Sequence, residues 1–265
     1  MKTTQQIDQR LVKKTFFRFL KYGNIEEIFV YEKPIFYNHS PFRALSGTRT
    51  KKNQRRNDNL YVARLRINHL VIANTNFAFC SPRFVTFTFT KNVTSLKEAN
   101  LEWGKFMRKF RSEFGSRKYL GVVEFQKRGA VHYHVLFFDL KYRVGIKDTI
   151  AFMWGNGFVK FKSAKKIGGI EHLGLYIAKY LQKEIIDLRL IGEKAFFTSQ
   201  NLTQPIILRK NDTCERLYFK ILKKGATVET YQSANFGIIN KHTLKYESEN
   251  TRGSNIDQVE DSEIY

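Results

Sequence analysis

The stretch "GAVHYHVLFFDL", residues 129 to 140, places two imidazoles, His132 and His134, inside an apolar run. In a strand, residues i and i+2 point to the same face, so both rings are offered to one neighbour and can chelate one divalent cation. A single histidine in such a run would be explained by local packing. A pair on one face asks for a ligand. The third donor should come from the preceding strand, where Glu124 stands eight residues before His132 across a tight turn, with Gln126 on the same side as a substitute or helper. Two neutral imidazoles and one carboxylate suit Mg²⁺ or Mn²⁺ held with open positions, and suit the closed tetrahedral site of structural zinc less well. A second constellation is "YIAKY", in which Tyr176, Lys179 and Tyr180 fall at i, i+3 and i+4 on adjoining positions of a helix surface. Leu173, Ile177 and Leu181 form a separate ridge about 110° around the wheel, which can be the buried one. Taken alone, two tyrosines at this spacing are commonly core or boundary residues.

The elements that must carry these groups are legible from periodicity. "RFVTFTFT" (83 to 90) alternates Phe84, Thr86, Thr88 and Thr90 against Val85, Phe87 and Phe89, the pattern of a half-buried strand. Ser95 followed by Glu98 makes a capping box, and Leu96, Ala99, Trp103, Phe106, Met107 and Phe110 form one stripe of a helix that stops at Gly115. "KYLGVVEFQK" and "AVHYHVLFFDL" flank a turn at Arg128 and Gly129 and predict an antiparallel hairpin. A short helix over 147 to 155, a strand over 157 to 165 and a helix over 171 to 184 follow. The order β-α-β-β-α-β predicts an α+β fold of ferredoxin-like or RRM-like split βαβ type, an antiparallel sheet with helices on one face and the site on the open one. Upstream, a helix is expected over 59 to 74, while "SPFRALSGTRTKKNQRRND" (40 to 58) reads as a basic loop or arm.

The bulk composition narrows the partner. The 265 residues carry a net charge of +22, which self-repulsion alone would not favour, so a polyanion is expected. No apolar run is long enough to span a bilayer and no convincing basic amphipathic helix occurs, which leaves nucleic acid ahead of a membrane surface. The N-terminus lacks a secretory signal, and the expected location is the cytoplasm. Cys80 and Cys214 are far apart in sequence, outside any CxxC pair, and read as buried residues rather than a disulfide framework or thiolate zinc site. No "GxxxxGK[ST]" is present, so no helicase motif accompanies these residues.

Together "FVTFTFT", "HYH" and "YIAKYLQK", in this order and spacing, resemble the HUH endonucleases that initiate rolling-circle replication. The surrounding "VVEFQKRGAVHYHVLFF" and "GEKAFFTSQNLTQP" are similar to replication-associated proteins of bacterial phages and plasmids, and "YIAKY" resembles the two-tyrosine motif of microvirus initiators. The resemblance covers residues 58 to 205. It implies an endonuclease domain over that span, flanked by a basic N-terminal extension (1–57), a β-rich C-terminal extension (206–246) and an acidic tail (247–265) that reads as disordered. It further implies a nickase and strand transferase acting on single-stranded or hairpin origin DNA. Tyr176 would attack the scissile phosphodiester to give a 5′-phosphotyrosine and a free 3′-hydroxyl that primes a host DNA polymerase, with unwinding left to a host helicase. Tyr180 would either perform the reverse transfer or be structural. Lys179 would help position the phosphate or a metal-bound water, and Thr86 and Thr88 are candidates to touch DNA. Two other readings share these residues: an HUH transposase or relaxase, and a noncatalytic single-strand-binding module with an aromatic stacking platform.

Overall fold

The alternation along Arg83–Thr88 is what folds the centre of the molecule. In a computed structural model, which describes residues 13–37, 49–76, 79–164, 170–183 and 196–246, this segment is strand β3. Two strands precede it, β1 (Lys13–Tyr22) and β2 (Ile25–Tyr37), together with helix α1 (Arg49–Asn74). It is followed by α2 (Leu96–Phe114), β4 (Tyr119–Phe125), β5 (Val131–Phe137), α3 (Ile146–Trp154), β6 (Val159–Ser163) and α4 (Ile170–Lys183). The chain continues through β7 (Phe197–Thr198), β8 (Ile206–Leu208), α5 (Asn211–Lys223), β9 (Thr227–Ser233) and β10 (Gly237–Lys245). The fold class is α+β, built on two antiparallel sheets.

The central sheet has the order β6-β3-β5-β4-β7. One face carries Val85, Phe87, Phe89, Val131, Tyr133, Val135 and Phe137, which pack against Trp103, Phe106 and Phe110 of α2 and Ile150, Met153 and Trp154 of α3. Burying each of these large side chains contributes roughly 1.5–3 kcal/mol, and the one buried phenol among them is satisfied, Tyr133 donating to Asn100 Oδ1 at 2.7 Å. Helix α2 starts where the capping box places it: Ser95 Oγ accepts from the backbone N–H of Glu98.

The opposite face is not bare, which corrects the expectation of helices on one face only. Along each strand that face is apolar at one end, with Phe84, Leu120, Val122 and Leu136, and polar at the other, with Thr86, Thr88, Glu124, His132 and His134. The apolar end must be covered, and it is: Ile67, Leu70 and Val71 of α1 and Leu173 and Ile177 of α4 close over it. The two helices approach tightly at Gly174, where an added Cβ would lie 2.3 Å from Asn68 Oδ1 and 2.9 Å from Asn68 Cα. Helix α1 also begins at Arg49, ten residues before the expected start. The "RTKKNQRR" segment read as a loop from its charge, yet Lys, Arg and Gln are good helix formers.

The second sheet, β8-β1-β2-β10-β9, joins strands from both ends of the described chain, an association no local pattern encodes. Helix α5 covers one side of it through Cys214 and Ile221 against Phe19, Ile28 and Leu244. Cys80 and Cys214 are both buried free thiols. Among the described residues no helix is long and apolar enough to cross a membrane.

Candidate metal centre and tyrosine helix

The β4–β5 hairpin reverses through a tight, hydrogen-bonded turn. The N–H of Gln126 donates to Ala130 O at 2.8 Å, the N–H of Gly129 donates to Gln126 O at 2.7 Å, and Gly129 takes φ +87°, a value that disfavours a side chain. Arg128 clamps this turn to the end of β3: one guanidinium nitrogen donates to Phe89 O at 2.5 Å, and Nε donates to Gln126 Oε1 at 3.0 Å. The amide of Gln126 is thereby engaged at the turn.

That turn sets the register in which Glu124 stands opposite His132 and Val122 opposite His134. On the other side of β5, Thr88 faces His132 and Thr86 faces His134. The donor atoms of Glu124, His132 and His134 all lie within 4.8 Å of one another, the one such grouping of metal-capable side chains among the described residues. His134 Nε2 is 2.5 Å from Glu124 Oε2, and its Nδ1 is 3.1 Å from the Thr86 hydroxyl. A partner on the far nitrogen fixes which nitrogen a ring presents, as in metal sites generally. His132 Nε2 is buried without a hydrogen-bond partner. Burial, reinforced by the neighbouring His134, pushes the His132 pKa down to about 4, so its ring is neutral at physiological pH and keeps a lone pair for a ligand. A buried, unpartnered imidazole nitrogen beside a carboxylate is a donor set that fits a divalent cation.

Helix α4 presents Leu173 and Ile177 to the core, both fully buried, and Tyr176 beside them only half-buried. The Tyr176 ring meets Phe84 edge-on at 5.1 Å between centroids, and Phe84 in turn stacks on His134 at 5.8 Å. The tyrosine is thus on the same face of the sheet as the cluster, one aromatic ring away from it. Two ammonium groups flank the phenol: Lys179 Nζ is 3.9 Å from the ring centroid, while Lys162 Nζ is 4.8 Å from the centroid and donates a long hydrogen bond to Tyr176 Oη at 3.5 Å. The side chain of Tyr180 lies outside the described residues. Thr88 contributes its backbone: its carbonyl accepts from the Trp154 indole at 3.1 Å.

Sequence reasoning passed over Lys160 and Lys162. They stand on edge strand β6 opposite Thr86 and Phe84, on the site's face. The signal was present in the alternation of "VKFKS".

Comparison with known proteins agrees with the motif reading. Residues 82–185 match the model of the replication-associated protein ORF2 family, a span that contains Glu124, His132, His134 and Tyr176. The match is consistent with a rolling-circle replication initiator. No curated protein and no solved structure matches the chain.

Proposed function

We propose that the chain is a rolling-circle replication initiator, a metal-dependent HUH endonuclease that nicks single-stranded or hairpin origin DNA with Tyr176 and later rejoins strands. The observation that carries this is the Glu124–His132–His134 cluster lying on one sheet face with Tyr176, a single ring, Phe84, between them.

A phenol with an ordinary pKa near 10 is a weak nucleophile at neutral pH, so its reaction needs an activated phosphate and an in-line approach. Glu124, His132 and His134 would hold a divalent cation of the Mg²⁺ or Mn²⁺ type, which when bound polarises the scissile phosphodiester. The chain's own groups do the rest. Thr86 orients the His134 ring through Nδ1. Phe84 sets the spacing between His134 and the nucleophile. Lys179, over the Tyr176 ring, offers positive charge to an incoming phosphate. The Tyr176 oxygen attacks phosphorus, the bond to the 3′-oxygen breaks, and the energy of the broken linkage is kept in a 5′-phosphotyrosine while the 3′-hydroxyl is freed to prime a polymerase. Keeping the bond in covalent form removes any need for a water-activating base, and it allows the same chemistry to run backwards when strands are joined. Tyr180, four residues along α4, is the candidate for that second transfer. The net charge of +22 supplies nonspecific attraction to the DNA backbone. Host helicase and polymerase would complete the partner set, in a bacterial cytoplasm.

The test is incubation with stem-loop oligonucleotides, with Mn²⁺ or EDTA, and separation on a denaturing gel. A covalent protein–DNA band is expected that requires metal and disappears in Tyr176→Phe. A band of wild-type intensity from Tyr176→Phe would overturn the assignment of the nucleophile, and no band from the wild-type chain would overturn the nicking reading.

A further inference from the structure

Strand β6 is the edge of the central sheet and carries two exposed lysines on the site's face, spaced by the strand period: Lys160 opposite Thr86 and Lys162 opposite Phe84. Their settings differ. Lys162 reaches across Phe84 to α4 and touches the phenol twice, through the hydrogen bond to Tyr176 Oη and through the ring face. Lys160 stands one strand period away, beside Thr86 rather than beside the ring that carries the tyrosine. Helix α4 and the sheet are therefore tied together at the reactive oxygen itself by a group that the alternation of β6 aims there.

We propose that Lys162 is a catalytic residue of strand transfer: its ammonium holds the Tyr176 oxygen in the attacking position and stabilises the negative charge that oxygen carries as it loses its proton. This rests on the nicking function proposed above and adds a role that the tyrosine helix does not supply. The phenolic proton passes to bulk water, the phenolate oxygen forms the bond to phosphorus, the bond from phosphorus to the 3′-oxygen breaks, and the 3′-oxygen takes a proton from water. Lys162 remains an ammonium throughout, donating to the phenolate oxygen before attack and to the phosphotyrosyl ester oxygen after it. In the reverse direction it stabilises the same phenolate as leaving group. Lys179 is held over the ring face, 3.9 Å from the centroid, where it acts on the ring quadrupole.

The experiment compares Lys162→Met with Lys160→Met in the full chain, since each removes one positive charge from the same exposed strand. The substrate is the stem-loop oligonucleotide that the wild type cuts, at a concentration that saturates binding, and the reading is the single-turnover rate of covalent adduct formation. Loss of one preorganised donor to a developing oxyanion lowers such rates by about 100-fold. The expected result is a drop of that order for Lys162→Met, recovery to within about 10-fold of wild type for Lys162→Arg, and little change for Lys160→Met at saturation. Fluorescence anisotropy checks that both Met variants remain saturated with DNA under the conditions of the rate measurement. Equal adduct rates for the two Met variants would overturn the assignment and leave Lys162 as one more phosphate contact. A failure of Lys162→Arg to recover any rate would overturn it as well. Absence of any adduct from the wild type would overturn the nicking reading first and this role with it, so the two failures are told apart in the control lane.

Discussion

The two sheets treat buried polar groups in opposite ways. In the terminal sheet, β8-β1-β2-β10-β9, the buried acids are answered by cations: Glu26 by Lys21 at 2.9 Å and by the Tyr246 hydroxyl at 2.8 Å, Glu27 by Lys241 at 2.7 Å. Its outermost strand β9 is exposed along nearly its whole length. In the central sheet, cased between two helical layers, Glu124 is answered by a histidine and the adjacent His132 keeps a buried nitrogen with no partner. The terminal sheet has its own buried histidine, His242, with an unpartnered Nδ1, but it packs against the Tyr218 ring and belongs to no grouping of metal-capable residues among those described. A charge that is locally neutralised is explained by the fold. A converging set of donors left incomplete points to something outside the chain.

This contrast can be broken by substitution. Removing a ligand should cost function far more than stability: His132→Ala and His134→Ala are each expected to reduce metal-dependent adduct formation by about a thousand-fold, with melting temperatures within a few degrees of wild type. A normal adduct yield from both would remove the case for a metal centre. In the terminal sheet the reverse is expected, because Glu27→Ala leaves the Lys241 ammonium half-buried without its main partner. That variant should lose about 3 kcal/mol of unfolding free energy in a urea titration, while the cleavage rate per folded molecule stays the same. An intermediate case is Gly121→Ala, whose new methyl group would collide with the Phe197 ring, 2.2 Å from the nearest carbon. Overpacking there should lower stability by about 2 kcal/mol and loosen β7 from β4. A smaller effect is expected from pH. His132 has a folded pKa of about 4 against an ordinary 6.5, so between these values the unfolded chain binds a proton that the folded site resists. In EDTA the urea midpoint should therefore fall as pH drops from about 6.5 to about 4, and His132→Gln should flatten that slope. Last, Glu229→Gln on exposed β9 should leave the midpoint unmoved, since its contact with Lys241 is 3.5 Å long and solvent-screened.

Much of the central sheet was legible because its signals are local. The two-fold alternation of β3, the capping box of α2 and the tight turn between β4 and β5 are each written within a dozen residues, and the turn fixes the register that brings Glu124 opposite His132. The helical cover on the site's face was not legible. It depends on α1 and α4 meeting at Asn68 and Gly174, residues that carry no pattern until the helices are packed. The same packing places Tyr176 over Phe84, so the distance from that tyrosine to the cluster is a tertiary quantity. The early start of α1 was obscured because charge density argued for solvent exposure, and helix propensity argues nothing against exposure. Lys160 and Lys162 were visible in the alternation of β6 but were masked by the abundance of lysine elsewhere. The terminal sheet was hidden for a plainer reason, since Glu32 meets Ile238 206 positions away.

That last separation bears on how the molecule is made. Strand β2 is held between β1 and β10, and β10 leaves the ribosome only after every residue of the central sheet and the tyrosine helix. Until then β2 has one side of its backbone unpaired, an edge of the kind that recruits other chains. Gly23, in the β1–β2 turn, sits against Ile72 of α1, whose carbonyl oxygen would be 2.8 Å from an added Cβ. The nascent hairpin can thus dock on the long helix early, and such docking is expected to limit aggregation during synthesis. A ribosome-stalled chain ending near residue 205 should remain dispersed as long as that turn keeps its glycine.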